Sequence, residues 1–126
     1  MVKILLIGGG GFAGAVLRYW ISGWVQHWSG GVAFPFGTLA VNLIGCLLIG
    51  SVYQLVELQA GIPAEIRLLV LVGLLGAFTT YSTFSNETFN LLQDHRLALA
   101  LLNIGSHLFL GLLAVLLGRW AVTLIR

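Results

Sequence analysis

Residues 73–87 read GLLGAFTTYSTFSNE, and the fold turns on what so polar a stretch does inside so apolar a chain. It ends the apolar run Leu68–Phe78 and places five Ser/Thr among the seven positions 79–85. The helix expected between Glu65 and Asp94 has its centre at Thr79 and Thr80, so these hydroxyls fall near mid-bilayer. Hydroxyls at that depth bond back to their own helix or donate to a neighbour. Five together, with Gly73 and Gly76 just upstream, predict a helix that breaks here. The carbonyls it frees must be buried in protein or turned toward water or an ion.

The rest of the chain fits a membrane setting. Of 126 residues 59% are hydrophobic and 8% charged, against roughly 25% charged in soluble domains. A span needs about 20 apolar residues, so four spans leave no room for a soluble domain. The reading is a single all-α domain over 1–126, with spans near 3–26, 36–57, 64–93 and 96–122. Trp20, Trp24 and Trp28 recur on one side of the first helix, where indoles favour the headgroup region. Gly30, Gly31 and Pro35 break the pattern, and residues 59–63 form a second short connection. Pro63 and Glu65 suit the start of the third helix, and Arg119-Trp120 is an interfacial pair closing the fourth. Gly10 and Gly14, and Gly111 and Gly118, have the spacing of close helix packing. Lys3 and Ala13-Gly14-Ala15 imitate a secretory signal, but the run continues past any cleavage point and further spans follow.

Several classes fall away. The net charge of +2 is scattered, without the basic cluster that nucleic acid needs. Gly9-x-Gly11-x-x-Gly14 has dinucleotide-binding spacing, yet it lies in a bilayer-length run with no acid about 20 positions on. The sequon Asn86-Glu87-Thr88 falls within the third span. No histidine has ligand-spaced partners, no serine has a triad, and Cys46 is alone in an apolar run, so the chain reads as a non-enzyme.

Polar residues in the spans are the candidates for function. Asn103 and His107, four apart, share a face of the fourth helix, and Asn42 adds an amide from the second; each either glues helices or lines a polar path. Glu87 is the one acid deep in a span and reads as a vestibule or interface residue, while Arg18 snorkels to the interface or joins the path. Tyr81 and Phe84 are one turn apart, and ring edges offer weak positive contacts to an anion. Passage requires weak, multiple sites of that kind. Lys3, Arg67, Arg119 and Arg126 stand against Arg18 and Arg96, a weak orientation signal that permits insertion both ways and a two-fold axis in the membrane plane.

Pro35-Phe36-Gly37-Thr38-Leu39-Ala40-Val41-Asn42-Leu43 followed by residues 73–87 closely resembles the fluoride channel family, Fluc or CrcB, over essentially the whole chain. The resemblance implies a fluoride-selective channel in the inner (plasma) membrane that protects the cell by passive efflux. It implies an antiparallel, dual-topology homodimer with two pores. Asn42 stands for the pore asparagine, Tyr81 and Phe84 for the family's two phenylalanines, and Ser82 and Thr83 for part of its hydroxyl track. Asn103 and His107 match positions of its polar track on the fourth helix. The family's central sodium, held by backbone carbonyls, maps onto Gly76 and Thr79. Tyr81 in place of phenylalanine adds a hydroxyl, and Ala77 replaces a second glycine. Two other readings use the same layout. A small proton-coupled multidrug exporter needs an embedded acid, typically in the first helix, where none stands; a non-conducting subunit of a heteromeric channel is left open by Tyr81.

Overall fold

The computed structural model describes residues 1–31, 33–59 and 62–125. The middle of the connection at 59–63 and Arg126 of the orientation argument lie outside the described residues. Among the described residues four helical stretches are long and apolar enough to cross a membrane: Val2–Trp28, Phe36–Leu58, Ala64–Gln93 and Leu97–Leu124. No strand occurs among the described residues. The protein is an all-α, multi-pass membrane protein.

Helices α1 (Val2–Trp28) and α2 (Phe36–Leu58) are continuous. The third stretch runs from α3 (Ala64–Arg67) through a π-helical segment, Leu68–Leu75, into α4 (Gly76–Phe78), and resumes as α5 (Tyr81–Gln93). The fourth comprises α6 (Leu97–Gly105), a π-helical segment Ser106–Leu110 and α7 (Gly111–Leu124). Pro35 and Pro63 occupy the N-caps of α2 and α3, where a missing N–H costs no helical bond, and Glu65 faces the positive end of α3. Gly30 and Gly31, at φ 71° and 73°, turn the chain between α1 and α2 through left-handed space open to glycine.

The turn between α5 and α6 uses no glycine. Arg96 N–H bonds Leu91 O at 2.8 Å and His95 N–H bonds Leu92 O at 3.1 Å, the pattern that ends a helix on a left-handed residue. His95 holds that place at φ 58°.

In a bilayer no hydrophobic drive holds helices together, so close backbone contact must. Helix α1 lies along the π segment Leu68–Leu75 and α4, while α2 pairs with α7 and α5 with α6. A side chain at Gly10 or Gly14 would strike the carbonyls of Leu69 or Leu74, and one at Gly118 would strike Leu47 O and Ser51. Gly111 differs: a Cβ there meets Cys46 Sγ at an ordinary 3.7 Å. Arg119 and Glu57 form an ion pair joining the ends of α7 and α2. The pair is half-exposed, and such pairs contribute about 0–1 kcal/mol.

Burial is inverted relative to a soluble domain. Trp20, Trp24 and Trp28 are exposed, whereas Thr38, Thr80, Thr88 and Asn103 are buried beside Leu39, Val41, Leu75 and Phe78. The buried polar residues mark where the chemistry lies.

Candidate functional site

Helical turns stop at Phe78 and resume at Tyr81. Between them Thr79 (ψ 157°) and Thr80 (φ −148°, ψ 108°) are extended. The side chain of Asn42, on the second turn of α2, holds this conformation from outside. Its Oδ1 accepts the Thr80 N–H at 2.8 Å and its Nδ2 donates to Thr80 O at 3.2 Å. One amide thus satisfies both backbone groups of one residue. Thr80 in turn caps α5: its hydroxyl accepts the Thr83 N–H at 3.2 Å and donates to the Thr83 hydroxyl at 2.7 Å. Thr79 turns back on its own helix, its hydroxyl donating to Leu75 O at 3.1 Å.

These bonds redirect two donors. In an uninterrupted α-helix the Thr80 N–H would close on Gly76 O and the Thr83 N–H on Thr79 O. One goes instead to Asn42 and the other to the Thr80 hydroxyl. The carbonyls of Gly76 and Thr79 therefore lose their helical donors. Among the described residues no group of three His, Cys, Asp or Glu could hold a metal.

An open cleft of about 490 Å³ adjoins the extended pair and is lined by Asn42, Thr79, Thr80, Tyr81, Phe84 and His107, with apolar walls that include Cys46 and Ile49. Tyr81 is 80% exposed. Its ring centroid lies 5.8 Å from that of Phe84, which lies 4.4 Å from that of His107. Three rings thus follow one another along one wall. A second cleft of about 360 Å³ is lined by Arg18, Ser22, Thr38, Thr80 and Thr83, so Thr80 borders both. Arg18 is half-buried and borders this cleft. Glu87 is also half-buried; Thr38 donates to its Oε1 at 2.6 Å, and its Oε2 has no hydrogen-bond partner among the described residues.

Not every candidate converges. The Asn103 side chain does not join the cleft that His107 lines, although the two residues are four apart. It is fully buried, and its Nδ2 donates at 2.9 Å to the Thr88 hydroxyl, which donates at 2.8 Å to Phe84 O. Asn103 therefore joins α6 to α5 and borders neither cleft, while its carbonyl sits 2.9 Å from His107 Nδ1. Ser82 and Gly76 are exposed and border neither cleft. The sequence marks Thr80 only as a mid-bilayer hydroxyl and gives Thr38 no role of its own. A hydroxyl three residues ahead of Thr83 is a helix-start signal that points to Thr80; Thr38 lies in the motif 35–43 but offers no local sign of its contact with Glu87.

Comparison with known proteins shows the family of the chain. The family model described as CrcB-like protein, Camphor Resistance (CrcB), matches residues 5–119. "Fluoride-specific ion channel FluC 1" of Methanosarcina acetivorans is 50% identical over 119 residues, 94% of this chain and 89% of the relative. "Fluoride-specific ion channel FluC" of Maridesulfovibrio salexigens is 45% identical over 127 residues, 98% of this chain and all of the relative. The protein of that name from Shewanella woodyi is 49% identical over 122 residues, 97% of each chain. These relatives carry the names of ion channels, not of enzymes.

Proposed function

The chain belongs to the CrcB family, and from that premise we propose that it is a fluoride-selective channel through which the ion leaves the cell passively. It works as an antiparallel, dual-topology homodimer with two pores in the plasma membrane. The observation that carries the reading is the cleft in which Asn42, Tyr81, Phe84 and His107 meet beside the extended pair Thr79-Thr80.

Fluoride is small and firmly hydrated, so a path must replace its water with donors and then let go. The Asn42 amide has two N–H groups, of which one is committed to Thr80 O, leaving the other for an ion. The Thr83 hydroxyl and the ring edges of Tyr81 and Phe84 supply weaker contacts further along. Chloride, larger and a poorer hydrogen-bond acceptor, gains less from the same groups. Arg18 raises the local anion concentration at the second cleft. Glu87, held by Thr38, stands at its margin.

The third helix breaks at mid-membrane, and a structural sodium fits that break. The Gly76 and Thr79 carbonyls have lost their helical donors, and carbonyl oxygens suit a hard cation. Two per chain become four across a two-fold axis. Bound there, sodium would neutralise the carbonyl dipoles and tie the two chains together.

Fluoride efflux from proteoliposomes made with this chain alone, repeated with chloride, tests the function. Passive fluoride flux well above chloride flux is the expected result. Proton-coupled cation flux would make the protein an exporter, and no flux of either kind would make it a subunit needing a partner.

A further inference from the structure

We infer that His107 is a proton-dependent anion-binding group, so that anion occupancy of the 490 Å³ cleft rises as the pH falls. This rests on the channel reading above and adds to it a regulation of the same site.

The argument starts from the half of the ring that is fixed. Nδ1 lies 2.9 Å from Asn103 O, and a carbonyl only accepts, so Nδ1 carries a proton in both charge states. That carbonyl cannot easily turn away, because the Asn103 side chain is fully buried and anchored on Thr88. Titration therefore occurs at Nε2. This atom is shielded from solvent and has no hydrogen-bond partner among the described residues.

Neutral His107 thus carries an acceptor lone pair at Nε2, which disfavours an anion nearby. The imidazolium carries a donor and a charge in the same place. The other titratable side chains lining the cleft are Cys46 from α2 and Tyr81 from α5, and no Asp, Glu, Lys or Arg lines it. The imidazolium has no carboxylate there to neutralise it. An anion entering the cleft is the missing counter-charge. By linkage the effect is mutual: the proton raises anion affinity and the anion raises proton affinity by the same factor.

Two measurements on the full chain test this. In the first, the imidazole resonances are titrated by NMR with and without sodium fluoride, the His107 signal being assigned by its loss in His107→Gln. The midpoint should rise with fluoride, by about one pH unit for a tenfold coupling; a midpoint that fluoride leaves unmoved overturns the inference. In the second, fluoride flux per dimer is compared between about pH 5.5 and pH 8, the range over which histidine changes charge. Flux in the native chain should change several-fold while His107→Gln, or His107→Ser if the first folds poorly, shows no such step. A native chain without pH dependence, or a variant that keeps it, overturns the inference. A chain that carries no fluoride at any pH defeats the channel reading instead, and the NMR midpoint then decides the inference by itself.

Discussion

Replacing Asn42 by alanine removes the one side chain that satisfies both backbone groups of Thr80. The bonds lost are 2.8 and 3.2 Å long, at a residue 8% exposed. Side-chain hydrogen bonds in membranes are worth about 0.6 to 2 kcal/mol each, so two give a loss of about 1 to 4 kcal/mol. The position within that range is informative. If the freed Thr80 N–H returns to Gly76 O, the helix heals across Thr79, the cost is near the lower end, and the cleft closes. If Thr80 stays extended with unpaired groups, the cost is near the upper end and the cleft persists. Stability is read from equilibrium unfolding in detergent and transport from fluoride efflux. The expectation is a measurable loss of stability together with fluoride flux at background. An Asn42→Ala protein with native stability and native flux would refute both the structural role of the amide and its place on the ion's path.

Other substitutions separate ring chemistry, turn geometry and packing. Phe84→Ile keeps an apolar side chain without an electropositive edge; fluoride efflux should fall to background while dimers still form, as judged by native mass spectrometry. His95→Gly relieves a left-handed backbone at φ 58° and should raise stability by about 1 kcal/mol, seen as a higher melting temperature. Gly118→Val drives a side chain into Leu47 O and Ser51 and should cost about 3 kcal/mol or prevent folding, whereas Gly111→Ala meets only Cys46 Sγ at 3.7 Å and should leave the melting temperature nearly unchanged.

The four spans were legible because hydropathy over helix-length windows is a local property, and the proline and glycine breaks between them are local too. The site was legible only as an inventory of residue types. That Asn42 reaches Thr80, 38 residues away, is a tertiary contact that no window contains. Helical spacing placed Asn103 and His107 on one face, and they do meet, but through the Asn103 backbone carbonyl; its amide turned to Thr88 because a fully buried amide needs a partner and α5 supplies one. Arg18 shows a different limit. Its spacing is equally compatible with lipid headgroups and with the cleft beside Thr83, and only packing of α1 on α2 decides between them.

Thr80 lines a wall of both clefts, and that wall is braced from α2 by the Asn42 amide. Neither compartment can be reshaped at that wall without the other registering it. Combinatorial libraries that vary the two sides independently should therefore show their strongest epistasis at this threonine.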